Sequence, residues 1–202
     1  EFFIKNMPPI STEDDLKIKE PRIYFGELTD EYVVVNSKTE EFDYPSGETN
    51  VYNKYNGSGG IPLNLWSRLL FSIRFRDYKL LVSDNFEAES RIMFDRNITT
   101  MVGKIAPFIK WDQDPYLVIA QGKMYWIIDG YTLTNRFPYS EPVENINYIR
   151  NSVKAVIDAY NGDVKFYITD DNDPIIKAYG SIFDDMFTPL KQMPREIREH
   201  IR

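Results

Sequence analysis

The chain has 202 residues, enough for one large domain or two small ones, and its 43% apolar and 15% aromatic content suffices for a core of its own. Its formal net charge of −7 argues against nucleic acid, whose phosphates demand clustered Lys and Arg, and disfavours anionic membrane surfaces. The absence of cysteine and a single histidine, His200, exclude disulfide frameworks, thiolate nucleophiles, iron–sulfur clusters and, within this chain, a histidine triad or multi-histidine metal site.

Residues 1 to 50 hold short strand-like runs, Arg22 to Phe25 and Tyr32 to Val35, and end at the turn-prone Tyr44-Pro45-Ser46-Gly47, a meandering β region. Gly57-Ser58-Gly59-Gly60 breaks the chain before a helix over 62–76, with Pro62 near its first position and Trp66, Leu69, Leu70 and Ile73 as an inward stripe. A glycine-rich segment before a helix can bind anions, but no Gly-Lys-Ser/Thr follows, so a flexible lead-in is expected. A longer helix fits 87–106, with Phe94, Ile98, Met101, Val102 and Ile105 at helical spacing, Glu87 and Arg91 as a surface pair, and Pro107 closing it.

Two hairpins follow. Gln121-Gly122 joins Tyr116–Ala120 to Lys123–Ile128, strands apolar on both faces that belong near a sheet centre. Asn161-Gly162 is the dipeptide best suited to a two-residue turn; with Tyr160 facing Asp163, Ala155, Ile157, Ala159, Phe166 and Ile168 share one apolar face and Asp158 pairs Lys165 on the other. Asp173-Pro174, an N-cap with Pro at the first helical position, opens a third helix over 174–187 that buries Ile175, Tyr179, Ile182, Phe183 and Met186. A short helix from Arg195 to Ile201 ends the chain. Blocks of strands and helices make the fold class α+β: a mixed or antiparallel sheet of hairpins (116–128 and 153–169) against about three helices, as one domain over 1–202 with a subdivision near 50–60 as the alternative.

The stretches PRIYFGELTDEYVVVN (Pro21 to Asn36), EFDYPSG (Glu41 to Gly47), SRIMFDRNI (Ser90 to Ile98), APFIKWDQDPYLV (Ala106 to Val118), WIIDGYTLTNRFPYS (Trp126 to Ser140) and NYIRNSVKAVIDAYNG (Asn147 to Gly162) stand in one order along the chain. On them the chain resembles Uncharacterised Protein Family 0182, whose members are multi-pass membrane proteins with a large extracytoplasmic region. The resemblance implies a soluble domain on the extracytoplasmic side of a prokaryotic cell membrane, whose first partners are the transmembrane and remaining extracytoplasmic parts of the same polypeptide. It implies no activity. The start at Glu1, without an initiator Met, fits an expected piece of a longer protein, and no apolar run approaches the roughly 20 residues of a membrane helix.

Asp112, Asp114 and Asp129 form the most reactive-looking cluster. If Gln121-Gly122 is a two-residue turn, Leu117 pairs Trp126 and Asp114 falls opposite Asp129, a like-charge pair that calls for a cation or a shared proton. The plainer reading has Asp112 and Asp114 capping turns while the strands diverge. Arg91, Arg96, Arg136 and Arg150 could converge on an anionic ligand or serve as ion-pair partners, and Trp126, Tyr131, Thr132, Tyr139 and Ser140 could form a ligand wall or pack in the core.

Three functions are compatible with these residues. The foremost is a non-catalytic extracytoplasmic domain that binds a small ligand, envelope polymer or partner, with Asp112, Asp114, Asp129, Arg136 and Arg150 as binding candidates and no cofactor. The second is a carboxylate- or cation-dependent hydrolase using the three aspartates. The third is a structural scaffold, which would show a large uncovered apolar patch near the termini.

Overall fold

The computed structural model describes residues 4–5, 9–11 and 17–201; what the sequence suggested for the rest of the first sixteen positions lies outside the described residues. Strands β1 (Ile4–Lys5) and β2 (Ile10–Ser11) pair with each other. A small antiparallel sheet joins β3 (Val33–Ser37), β7 (Phe86–Met93) and β6 (Ile61–Pro62), and β4 (Glu41–Ser46) and β5 (Thr49–Asn53) form a separate hairpin. The main sheet has the order β13-β12-β11-β10-β8, with β9 also on β10: β8 (Lys110–Trp111), β9 (Tyr116–Ala120), β10 (Lys123–Thr134), β11 (Tyr148–Asp158), β12 (Val164–Ile168) and β13 (Phe187–Pro189). All its pairings are antiparallel except β12 with β13, so the α+β class with a mixed, hairpin-built sheet holds. No helix among the described residues is long and apolar enough to cross a membrane.

The central strands are buried on both faces, as their continuous apolar runs require. On one face Ile128, Val153, Ala155, Ile157 and Phe166 meet α3 (Ile98–Ile105) through Ile98, Met101 and Val102, together with Ile176 of α4 (Pro174–Ile182). On the other face Ile127, Val118, Val156 and Tyr167 pack against Met193 and Ile197, the latter on α5 (Arg195–Arg198). A third cluster, Leu63, Phe71, Leu80 and Ile92, holds α1 (Leu65–Phe75) and α2 (Lys79–Val82) to the small sheet.

All three expected long helices need correcting. The helix over 87–106 is a strand followed by a helix. Glu87, Glu89 and Arg91 alternate with Ala88, Ser90 and Ile92, and the last two of these are buried, a period-two pattern that pairing with β3 completes. The helix begins only where the Asn97 side chain accepts from Thr100 N–H, and the Glu87–Arg91 pair does not exist as a helical pair.

Helix 62–76 starts at Leu65, capped by Asn64, because Pro62 sits in β6 at the sheet edge, where its missing N–H costs nothing. Its stripe is inverted: Phe71 is the buried residue, whereas Trp66, Leu69, Leu70 and Ile73 are exposed. Helix 174–187 stops at Ile182; Ile176 carries its burial, Ile182 and Phe183 are exposed, and the chain turns to lay β13 alongside β12.

The two turns exchanged roles. Gln121 and Gly122 both take positive φ, 56° and 78°, and pair Ala120 with Lys123 and Leu117 with Trp126 in the expected register. At Asn161-Gly162 only Gly162 does so, and the ladder is shifted by two residues, with Ala155 on Phe166 and Ile157 on Val164. The Asp158 carboxylate causes the shift. It accepts from Tyr160 N–H and Asn161 N–H, winding a longer loop, and the shifted ladder sets Lys165 opposite Val156 instead of Asp158. A slip of two leaves every side chain on its expected face, so the predicted apolar face survives.

Neither is Gly57 to Gly60 a loose lead-in. Asn161 Oδ1 accepts from Ser58 N–H and Tyr55 O–H, Arg91 binds the carbonyls of Ser58, Gly59 and Gly60, and a Cβ on Gly59 would stand 2.4 Å from the Asn161 carbonyl.

Candidate functional site

Of the three aspartates singled out in the sequence, the structure sets Asp112 beside Asp129 and leaves Asp114 apart. β9 leaves the ladder at Tyr116, opposite Ile127, and β8 takes over at Trp111, opposite Gly130, so the intervening residues form a loop that carries Asp114 outward to an exposed position. Asp112 N–H donates to the Asp129 carbonyl, and the Asp112 carboxylate accepts from Gln113 N–H. Asp129 already has a cation: Lys154, directly across on β11 and 2% exposed, places Nζ 2.6 Å from its Oδ1, while Asn151 donates to Oδ2. No group of three or more His, Cys, Asp or Glu among the described residues is arranged to hold a metal ion.

The four arginines are dispersed. Arg91 serves the glycine loop, Arg96 is buried and donates to the carbonyls of Tyr24 and Glu31, Arg136 is exposed, and Arg150 pairs with Asp170 at 3.0 Å. Burial depresses the Arg96 guanidinium's pKa, and its carbonyl partners compensate the charge by hydrogen bonding rather than by a counter-ion. Because the Arg150 side chain is 56% exposed, Arg150→Gln is expected to change stability by less than about 1 kcal/mol in urea unfolding. The aromatic wall does not form either: Trp126 donates to the Phe25 carbonyl, Thr132 is buried and Tyr139 is exposed.

What the structure does build is an open cleft of about 520 Å³ between the Pro21–Tyr24 segment, β3 and the β4–β5 hairpin. Val33, Val35 and Ile23 supply apolar lining, and Arg22, Tyr24, Glu41, Asp43 and Asn53 its polar part. Register in the hairpin shifts between Phe42 and Tyr44, which makes Asp43 the extra residue of a bulge, and its Oδ2 receives Arg22 Nε and Nη2 at 3.0 and 2.6 Å. Glu20 takes Arg22 Nη1 at 3.0 Å. Tyr24 O–H donates to Glu41 Oε2 at 2.5 Å and accepts from Asn53 Nδ2, and Glu41 Oε1 accepts from Asn36 N–H.

Behind it, Tyr24, Tyr55 and Tyr160 pack ring against ring at 4.8 to 5.3 Å. Burial first, and the Glu41 carboxylate second, drive the Tyr24 phenol far above its ordinary pKa; burial pushes Tyr55 up to about 12. Tyr24 is therefore a fixed hydrogen-bonding group at neutral pH and not a nucleophile or proton acceptor. The cleft thus presents a preset polar rim with surplus carboxylate over apolar walls, suited to holding a ligand. Sequence reasoning passed over these residues, although Glu41 and Asp43 two apart in a β region, with Arg22 upstream, were visible.

An α+β fold with an open, hydrogen-bonded cleft, and with Asp114 apart from Asp112 and Asp129, is the class these observations define. The chain belongs to the Uncharacterised protein family (UPF0182), which matches it over residues 1–202. Similar proteins include a UPF0182 protein of Clostridium botulinum (strain Hall), 52% identical over 202 residues, and one of Alkaliphilus metalliredigens (strain QYMF), 54% identical over 203. A UPF0182 protein of Pelotomaculum thermopropionicum is 50% identical over 203 residues. Each comparison covers all of this chain but 22% of the relative, so the chain spans roughly a fifth of their length. No solved structure matches.

Proposed function

We propose that this chain is a non-catalytic binding domain on the extracytoplasmic side of an integral membrane protein, seating a small ligand or a segment of envelope polymer in the Tyr24–Glu41 cleft. The remaining parts of the same polypeptide are its first partners, a reading supported by the much greater length of its relatives. Membrane attachment and sidedness rest on the family resemblance alone. The cleft itself carries the binding reading: about 520 Å³ of open space whose polar groups are already paired and therefore preorganised. The hydrolase reading draws no support from Asp114 on an exposed loop and Asp129 held by Lys154.

The test is calorimetric titration of the chain with envelope oligosaccharides and short peptides. Saturable binding is expected, weakened about tenfold by Glu41→Gln, which removes one charged acceptor. Turnover of any of these polymers would overturn the proposal. The scaffold reading also has an observation in its favour, because a large uncovered apolar surface exists, though it lies on α1 in mid-sequence and not at the chain ends.

A further inference from the structure

We infer that the exposed face of α1 docks on an anionic lipid surface. Leu65, Trp66, Leu70 and Ile73 are 64–74% exposed and Leu69 is 37% exposed. At 100° per residue these five side chains fill one continuous arc of about 140°, while Phe71 and Phe75 on the opposite arc hold the helix to the fold. The helix is thus apolar on two sides, and only one of them is used. Single exposed apolar residues are ordinary, but five on adjoining turns, one of them Trp, form a docking face.

Charge decides the occupant. Between Asn64 and Val82 the cations are Arg68, Arg74, Arg76 and Lys79, and the sole carboxylate is Asp77. Asp77 is partly exposed, and its carboxylate is taken up by hydrogen bonds from Tyr32 O–H at 2.6 Å and Lys79 N–H at 3.0 Å. Arg68 is occupied by the carbonyls of Leu80, Leu81 and Ser83, and Arg74 lies 3.5 Å from Asp95; Arg76 and Lys79 are exposed beside the helix C-terminus.

A chain of net charge −7 therefore carries this apolar helix face in a locally cationic segment. Screening over about 8–10 Å makes that local charge, not the total, the one a surface meets. Protein rims mix both signs, whereas a face of Leu, Ile and Trp bordered by the exposed cations Arg76 and Lys79 matches lipid phosphates above acyl chains. Trp66 and Tyr78, 74% and 71% exposed, have the amphipathic rings that favour that boundary.

The test uses the 202-residue chain in flotation with phosphatidylcholine vesicles and with phosphatidylcholine–phosphatidylglycerol vesicles. The expected result is selective flotation with the anionic vesicles, a blue shift of Trp66 emission, and loss of binding in about 0.5 M salt, where the Debye length falls to a few ångströms. Leu70→Glu should weaken binding about tenfold or more without moving the thermal melt, since Leu70 is 64% exposed.

The chain has no cysteine, so Leu70→Cys carrying a spin label reports depth independently, and should gain oxygen accessibility over that of a soluble nickel chelate on vesicle binding. Equal flotation with neutral vesicles, indifference to Leu70→Glu, or a dimer that Leu70→Glu dissolves while vesicles stay unbound would each overturn the inference, the last assigning the face to a second copy. The cleft reading is untouched by any of these outcomes, because Glu41 lies outside α1.

Discussion

Asp129→Asn is expected to destabilise the fold by about 3–5 kcal/mol, the range for removing one partner of a buried ion pair. The Lys154 side chain is 3% exposed, and without Asp129 its ammonium has lost the carboxylate 2.6 Å away. Lys154→Met should cost less, about 1–3 kcal/mol, because the Asp129 side chain is 17% exposed and keeps the Asn151 amide. The double variant should fall well short of the sum, a coupling that urea denaturation of all four proteins measures. An aspartate serving a metal or a reaction would behave oppositely: Asp129→Asn would leave stability intact and remove cation binding.

That pair also shows where sequence reasoning stops. The Gln121-Gly122 turn was legible because it depends on two residues and their neighbours, and Leu117 does meet Trp126. Extending the same register to Asp114 failed, since the ladder ends at Tyr116 and the partner of Gly130 is Trp111 on another strand. The cation that neutralises Asp129 sits on β11, across a pairing that no local pattern specifies.

Asn161-Gly162 shows the same limit in another form. The dipeptide preference was sound, but Asp158 offered the backbone a competing set of hydrogen bonds and took the turn. Faces were readable because a period-two pattern survives an even slip, whereas partners were not. On α1 the four-residue apolar stripe of Trp66, Leu69, Leu70 and Ile73 was seen and its direction was not, because Phe71 and Phe75 satisfy helical spacing equally well on the opposite side. The Tyr24 cleft joins side chains from three separate segments, and only tertiary structure places Glu41 beside that phenol.

Asp173 was legible as a helix cap from Asp173-Pro174, yet its largest role lies elsewhere. Its carboxylate, in a residue 1% exposed, accepts from Thr132 O–H at 2.5 Å, Ser152 O–H at 2.6 Å, Tyr148 O–H at 2.7 Å and Ile175 N–H at 2.9 Å. Burial, the largest single influence, would raise its pKa; the bonds from Ser152, Thr132, Tyr148 and the Ile175 amide together outweigh it and hold the group below the usual aspartate range. One carboxylate thus ties β10, β11 and α4 together.

Asp173→Asn places an amide N–H₂ against hydroxyl donors at a buried position, and a loss on the order of 3 kcal/mol is expected. The sign of the pH dependence follows from the depressed folded pKa. Above the unfolded value of ~3.9 the group's full stabilisation is present, and it is lost as pH falls through the lower folded value. The parent chain's melting temperature should therefore drop more steeply below about pH 4 than that of Asp173→Asn, which has no proton to take up there. Parallel acid limbs in the two melting profiles would mean that other carboxylates carry the acid sensitivity and that Asp173 is a cap alone.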